Sequence, residues 1–203
     1  MVRVVIIDYL SGNLFSIVKA FKYIGIDPIV SGDPSDWFKA DLLVFPGQGN
    51  FSQAMQELKK GGKDLILKDI LENKMFLGIC LGMQILFEES EEAPGIKGLG
   101  VFRGNIKRLP SKKVPHLGWN EVKLKKDSIL FRNLPSNPFF YFVHSYYLET
   151  FEEDIIWGTT NYEIDFPSFI QSENIIGVQF HPEKSSKNGI KFIENLIREY
   201  LKC

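Results

Sequence analysis

The segment from Gly78 to Gln84 constrains the fold of this chain most, because it places a cysteine where a strand gives way to a helix. Met75–Ile79 is a short apolar run of strand length, and apolar residues return at helical spacing over residues 81–89. Cys80 therefore lies at the predicted turn, flanked by glycines where a Cβ atom would clash with neighbouring backbone. The pattern predicts a nucleophile elbow, in which the positive end of the helix favours thiolate over thiol.

A second motif, near the C-terminus, supplies candidates for a base and its orienting group. The chain reads His181-Pro182-Glu183 at the end of an apolar strand. A nucleophilic thiol needs a general base at hydrogen-bond distance and a third group that fixes the imidazole tautomer. We expect His181 to be the base and Glu183 the third group, with Pro182 stiffening the strand end. Each motif alone also fits a packing cysteine or a helix-capping segment; together they predict a Cys-His-Glu triad.

The rest of the chain alternates strands and helices as a doubly wound α/β domain does. The first half predicts, in order, strand 2–8, helix 12–23, strands 28–31 and 41–45, and one or two helices interrupted at Gly61-Gly62. From residue 104, short turn-separated segments predict an antiparallel strand insertion, over 105–109, 119–124, 139–148, 155–160 and 166–171. Strand 175–180 returns to the main sheet, and an amphipathic helix follows over 189–201. The expected fold is a mostly parallel α/β sheet with helices on both faces.

Composition narrows the classes of function. The 203 residues carry 24 basic and 25 acidic side chains, which leaves no electrostatic footprint for nucleic acid or an anionic membrane. The cysteines are Cys80 and Cys203, so we expect no disulfide framework, a reducing cytoplasm, and an inert Cys203. We expect neither a signal peptide nor a membrane span. The length favours a single domain over residues 1–203.

These motifs resemble those of the class I, triad-type glutamine amidotransferases, and most closely those of the glutaminase subunits of imidazole glycerol phosphate synthases. The elbow and the His-Pro-Glu segment are shared by the wider family. Further segments that carry the resemblance are 8–9, 11–14, 45–49, 114–120, 141–146 and 179–185. The resemblance implies a flavodoxin-like sheet with its site beyond the carboxyl ends of the strands. Two positions depart from the pattern, since the subunits usually carry glycine at Leu10 and valine at Gln48.

The resemblance also implies the chemistry, which is hydrolysis of the side-chain amide of glutamine to glutamate and ammonia. Cys80 would attack the amide carbon. The oxyanion would be held by the backbone N–H of Leu81 and by an N–H of the loop Gly47-Gln48-Gly49. The positions that match glutamine-binding residues of the family are Gln84, Ser145 and Tyr146. We expect no cofactor and no metal ion.

A partner follows from the same resemblance. In the family, the ammonia passes to a (β/α)8 barrel cyclase subunit in a heterodimer, which makes imidazole glycerol phosphate and aminoimidazole carboxamide ribotide in histidine biosynthesis. The positions that match the contact face are Trp119, Asn120, Tyr141 and Lys184. Trp119 fits a core residue equally well. We expect His116 and His144 to be structural histidines rather than catalytic groups.

Three other functions fit parts of the pattern. The same glutaminase chemistry could serve a paralogous barrel that aminates another substrate, such as a surface-polysaccharide sugar, and Leu10 and Gln48 are mild indications of this. A cysteine hydrolase or protease could use the same elbow, although the motif order fits glutamine better. A non-catalytic binding subunit would normally have lost part of the triad, and Cys80, His181 and Glu183 are all present.

Overall fold

The computed structural model describes residues 2–10 and 14–201. Its helices are α1 (Phe15–Tyr23), α2 (Pro34–Trp37), α3 (Phe51–Lys59), α4 (Lys63–Leu71), α5 (Leu81–Gln84) and α6 (Ser186–Tyr200). Its strands are β1 (Val4–Ile7), β2 (Ile29–Ser31), β3 (Leu42–Phe45), β4 (Met75–Ile79), β5 (Glu89–Ser90), β6 (Asn105–Arg108), β7 (His116–Glu121), β8 (Lys123–Leu124), β9 (Phe139–His144), β10 (Tyr146–Glu149), β11 (Ile156–Tyr162), β12 (Ile164–Ser172) and β13 (Ile175–Val178).

The main sheet has eight strands in the order β2-β1-β3-β4-β13-β12-β11-β8. The first five run parallel, in the flavodoxin-like order, with crossovers that place helices on both faces. Alternate residues of β1 show this directly, since Val5 and Ile7 pack with α2, α3 and α4 while Val4 and Ile6 pack with α1 and α6. Because helices cover both faces of the sheet, both sets of alternate side chains in such a strand are buried and apolar, as in β1. The predicted doubly wound fold is confirmed.

The antiparallel strands are distributed over three sheets. β12, β11 and β8 extend the main sheet, β10 and β6 form a small sheet with β5, and β7 and β9 form a separate ribbon. Two segments predicted as single strands are each broken. Segment 119–124 is interrupted at Val122, and segment 139–148 breaks at Ser145, where the chain leaves β7 and pairs with β6 instead. A change of pairing partner leaves no signal in local periodicity.

The predicted helix over residues 81–89 is wrong in length, because α5 ends at Gln84. Beyond it, the carbonyl oxygens of Ile85, Leu86 and Phe87 accept hydrogen bonds from the backbone N–H groups of Leu99, Val101 and Gly100, respectively, at 2.7 to 3.1 Å. These partners replace the bonds that would continue the helix. Ile85, Leu86 and Phe87 are fully buried although they are not helical. The apolar spacing therefore marked buried residues and did not mark the end of the helix.

The bounds of the other predicted helices lie closer to those in the structure. The interruption at Gly61 and Gly62 is confirmed, with φ of 68° and 70° between α3 and α4. Helix 12–23 is described from Phe15, and residues 11–13 and Cys203 lie outside the described residues. None of the helices in the described ranges has the length and apolar character needed to cross a membrane.

Candidate active site

Cys80 lies at a sharp turn between β4 and α5, with φ of 48° and ψ of −102°. A non-glycine residue at positive φ is strained, and such strain persists only where the surroundings enforce it. The enforcement comes from close packing, since a Cβ atom at Gly78 would lie 2.4 Å from the carbonyl oxygen of Gly82. A Cβ atom at Gly82 would lie 2.3 Å from the carbonyl oxygen of Phe45. Both glycines are therefore required by the turn that projects Cys80.

His181 follows β13, the strand beside β4, so the two motifs meet at the carboxyl end of the sheet. The imidazole Nδ1 lies 2.8 Å from Oε1 of Glu183, and both side chains are buried. Burial lowers the pKa of His181, but the Glu183 carboxylate and the Cys80 thiol raise it more strongly, to about 10. The other ring nitrogen, Nε2, is buried and has no hydrogen-bond partner among the described residues. It is the nitrogen available for proton transfer.

Gly47 brings the loop after β3 against both groups. A Cβ atom at this position would lie 2.8 Å from Cys80 Cβ and 2.8 Å from His181 Cε1. Only a residue without a side chain allows the loop backbone to approach this closely. The structure thus brings Cys80, His181, Glu183 and Gly47 together, as the sequence predicted for a triad beside its oxyanion loop.

Ser185 holds His181 in place, a contact that was not predicted from the sequence. Its hydroxyl donates to the carbonyl oxygen of His181 at 2.6 Å and accepts the backbone N–H of Tyr141 at 2.9 Å. The backbone N–H of His181 in turn donates to the carbonyl oxygen of Tyr141 at 2.8 Å. Ser185 belongs to the motif that carries the resemblance, but only the fold reveals that it ties the His-Pro-Glu turn to β9.

A cavity of about 240 Å³ opens beside Cys80. The predicted site residues that line it are Gly47, Gly49, Leu81, Gln84, Ser145 and Tyr146. Gln48 does not line it, so the departure at this position adds no polar side chain to the cavity. Glu92 lines the cavity and was not predicted, because it lies in an acidic run that reads as ordinary surface.

Two glutamines connect the cavity to the sulfur. Gln84 Nε2 donates to the carbonyl oxygen of Tyr146 and to Oε1 of Gln179, each at 3.1 Å. Gln179 Nε2 donates to Cys80 Sγ at 3.3 Å. Gln179 is fully buried and was assigned no role from the sequence. The two side chains therefore link the cavity wall to the sulfur by hydrogen bonds.

Residues 5–199 match the model of the family described as glutamine amidotransferase class-I. The chain belongs to this family. A solved structure described as a glutamine amidotransferase covers 98% of this chain at a TM-score of 0.76 and 16% identity, and a PurLQS structure from Thermotoga maritima reaches 0.76 at 17% identity and also covers 98%. These span 99% of each solved chain and agree with the fold.

Two curated relatives are more similar in sequence to this amidotransferase than the two solved structures are. The imidazole glycerol phosphate synthase subunit HisH of Pyrococcus furiosus is 49% identical over 98% of this chain and 100% of its own length. The subunit HisH 1 of Methanococcus maripaludis is 47% identical over 96% of this chain and 98% of its own. Each of these two alignments covers at least 96% of this chain.

The predicted oxyanion loop of the amidotransferase is held from the first strand. The hydroxyl of Tyr9 donates to the carbonyl oxygen of Gln48 and lies 3.3 Å from that of Pro46, while its ring stacks on Phe45 with centroids 4.5 Å apart. Leu10 follows with φ of 63°, a conformation that glycine adopts without strain. The departure at Leu10 therefore places a strained residue in the turn beside the oxyanion loop.

We expect Tyr9→Phe to loosen this loop without unfolding the sheet. Phenylalanine keeps the stacking on Phe45 but cannot donate to the loop carbonyl oxygens, so the loop loses its anchor. Hydrogen exchange read by mass spectrometry should accelerate in peptides covering Gly47 to Gly49 and stay unchanged in β4. Unchanged exchange in the loop would show that other contacts hold it.

The predicted contact residues lie on and beside the ribbon of β7 and β9. Trp119 is 51% exposed, so its interpretation as a core residue is wrong, and its ring meets that of Tyr141 edge-on at 6.2 Å. Leu117 and Phe139 are exposed on the same ribbon, at 63% and 51%. Asn120 is partly buried on β7, and Lys184 follows Glu183 in the turn 182–184. The ribbon thus presents an apolar surface, and one of its ends, at Val143 and His144, lines the cavity beside Cys80.

His116 and His144 are buried and hydrogen-bonded to each other, with His116 Nδ1 3.0 Å from His144 Nε2. Burial lowers the pKa of His116 to about 4. Burial and the nearby histidines also lower the pKa of His144, to about 3, although its bond to the Tyr146 carbonyl opposes this. Both rings are therefore neutral near pH 7, and a purely structural role for them stays a prediction.

Proposed function

We propose that this chain is the glutaminase subunit of an imidazole glycerol phosphate synthase. It hydrolyses glutamine to glutamate and ammonia and passes the ammonia to a (β/α)8 cyclase subunit in a cytoplasmic heterodimer. The observation that carries the proposal is the 49% identity over 98% of the chain to a named subunit of that synthase. The meeting of Cys80 with the hydrogen-bonded pair His181 and Glu183 supports the chemistry.

The proposed mechanism uses each part of this arrangement. Cys80 thiolate attacks the amide carbon of glutamine, and the oxyanion is held by the backbone N–H of Leu81 and an N–H of the Gly47–Gly49 loop. His181 gives its proton to departing ammonia through Nε2, which leaves a glutamyl thioester. It then takes a proton from the water that hydrolyses the thioester. Glu183 stabilises the imidazolium and fixes the tautomer throughout.

Recognition of glutamine falls to the polar cavity wall. A free amino acid carries an ammonium and a carboxylate, and Glu92 supplies a carboxylate that pairs with the ammonium. Gln84 and the segment Ser145-Tyr146 offer amide and backbone groups to the rest of the molecule. A cavity of about 240 Å³ suits one amino acid rather than an extended peptide, which favours a glutaminase over a protease.

The apolar ribbon supports the proposed docking face. Trp119, Leu117 and Phe139 are exposed on the ribbon whose Val143 and His144 line the cavity, and exposed aromatic residues are typical of interface anchors. Docking of the cyclase there, with contributions from Asn120, Tyr141 and Lys184, would shelter ammonia as it leaves Cys80. A cytoplasmic setting suits the free catalytic thiol, which oxidising compartments would compromise.

The paralogous-synthase alternative has less support. The relatives named above are subunits of imidazole glycerol phosphate synthases, and Gln48 does not line the cavity. A non-catalytic role fits poorly with a complete triad beside an open cavity.

Glutamate release from glutamine tests the proposal, measured with the chain alone, with the cyclase barrel of the same organism, and with that barrel plus its nucleotide substrate. We expect low activity alone and strong stimulation by the loaded barrel, because docking would protect glutamine from waste. The barrel alone is the control for contaminating glutaminase. Glutamate release that does not respond to this barrel would assign the chain to another synthase, and none in any mixture would contradict the glutaminase role.

A further inference from the structure

A line of hydrogen bonds enters the protein from the ribbon. Asn120 Nδ2 lies 3.2 Å from His116 Nε2, and His116 Nδ1 lies 3.0 Å from His144 Nε2. His144 Nδ1 lies 2.8 Å from the carbonyl oxygen of Tyr146. The outer end is fixed as well, because Asn120 Nδ2 also donates to the carbonyl oxygen of Asn161 at 2.9 Å. The ribbon is thereby connected to the wall of the glutamine cavity.

The same line continues from the cavity wall to the nucleophile. The carbonyl oxygen of Tyr146 accepts a second hydrogen bond, from Gln84 Nε2. Gln84 donates onward to Gln179, and Gln179 donates to Cys80 Sγ. Every step lies between 2.8 and 3.3 Å, so the series is unbroken from the ribbon to the sulfur.

The proton positions in the series are determined. A carbonyl oxygen can only accept, so His144 Nδ1 carries a hydrogen and, in the neutral ring, Nε2 is an acceptor. His116 must then donate through Nδ1 and accept from Asn120 through Nε2. Burial lowers the pKa of both histidines far enough that each is neutral near pH 7. One arrangement therefore satisfies all members, and a change at one member propagates to the next.

We propose that this hydrogen-bond series positions Cys80 and the glutamine cavity for hydrolysis and couples them to the ribbon face that carries Asn120. The proposal rests on the glutaminase function proposed above. His116 is a positioning residue, since it does not line the cavity and acts through His144. A partner docked on the ribbon would act on the sulfur by way of Asn120, without touching the cavity.

Two substitutions at His116 separate positioning from packing. His116 stacks on Phe142 and Tyr162, with centroids 4.8 and 4.1 Å apart. His116→Phe keeps the stacking and removes both nitrogens, whereas His116→Asn loses the ring but keeps an N–H donor near the position of Nδ1. We expect His116→Phe to lower kcat about tenfold, because the loss of a hydrogen bond costs up to about that factor. We expect His116→Asn to lower kcat about threefold or less. A packing role gives the opposite order.

The rate of Cys80 alkylation by iodoacetamide, followed by mass spectrometry of the Cys80 peptide, provides a readout that needs neither glutamine nor the barrel. We expect His116→Phe to slow it and His116→Asn to slow it less. Asn195→Leu is the matched control, because Asn195 is equally buried and donates to two backbone carbonyl oxygens far along the chain, at Leu130 and Arg132. It should lower thermal stability while leaving alkylation and kcat unchanged.

Gln179→Met, alone and in a double variant with His116→Asn, keeps the proposal testable where His116→Phe fails to fold. It removes the donor to the sulfur, so we expect a larger loss in kcat and alkylation than at His116. The double variant should lose no more than Gln179→Met alone, because both break one series. Additive losses, or a greater loss in His116→Asn than in His116→Phe, would overturn the coupling. If the parent releases no glutamate with the barrel, the proposed function fails, while the alkylation order still decides the coupling.

Discussion

Cys80→Ala is expected to lower glutamate release by at least about 10⁴-fold, even with the cyclase barrel and its nucleotide present. Alanine leaves the proposed base, the proposed oxyanion donors and the cavity in place but removes the sulfur atom that would form the thioester. The barrel should still bind, because the Cys80 side chain is buried and forms no part of the exposed face of the ribbon. Steady-state assays of glutamate and a titration of complex formation measure the two effects separately.

The second cysteine of the sequence supplies the control for this experiment. Cys203→Ser removes the other thiol and is expected to leave glutamate release unchanged. If glutamate release survives in Cys80→Ala but falls in Cys203→Ser, Cys80 is not the nucleophile and Cys203 takes that role. Loss in both variants would point to damage from handling of the protein rather than to chemistry.

Glu183→Gln is expected to lower kcat roughly 10³- to 10⁴-fold, the loss typical when the orienting carboxylate of a triad becomes an amide. The glutamine amide can donate to Nδ1 of His181, which favours the tautomer with a proton on Nε2 and removes its ability to accept one. The KM for glutamine should change little, because Glu183 does not line the cavity. A loss confined to KM would contradict the orienting role.

The same variant should change how stability depends on pH. The folded pKa of His181 is raised from 6.5 to about 10, so its protonation adds stability that is fully present below about 6.5 and is lost as the pH rises through about 10. Glu183→Gln removes a main cause of this shift. The free energy of unfolding of the parent should therefore exceed that of the variant most at pH 6, and the difference should shrink toward pH 10. Denaturant titrations at both pH values measure it.

The sequence allowed the elbow to be predicted because its causes are local. A five-residue apolar strand, two glycines and a cysteine define the turn, and β4 has the predicted bounds. The helix after it could not be bounded, because the chain is diverted at Ile85 by bonds to the segment containing Leu99, which is distant in sequence. The periodicity of apolar residues showed which residues are buried. The end of this helix depends on hydrogen bonds to residues 99–101, which the periodicity does not show.

The missed site residues have the same explanation. Glu92 lies in an acidic run and carries no local pattern that separates it from a surface residue. The segments that carry the resemblance include Tyr9, Gln179 and Ser185, but only the fold shows which groups these three contact. Trp119 was ambiguous for the opposite reason, since a tryptophan in a strand suits a core and an interface equally well. The exposure of half of its surface, on one face of the ribbon, decided between them.

The position of β13 has a consequence for biosynthesis of the protein itself. This strand lies between β4 and β12 in the middle of the main sheet, although it is the last strand to be made. A nascent chain that has already emerged from the ribosome with Cys80 still lacks His181 and Glu183, which follow roughly a hundred residues later. Until β13 inserts, the sheet is split between β12 and β4, the strand that leads to Cys80. A chain that stops before His181 is therefore expected to release no glutamate from glutamine, however long it remains on the ribosome.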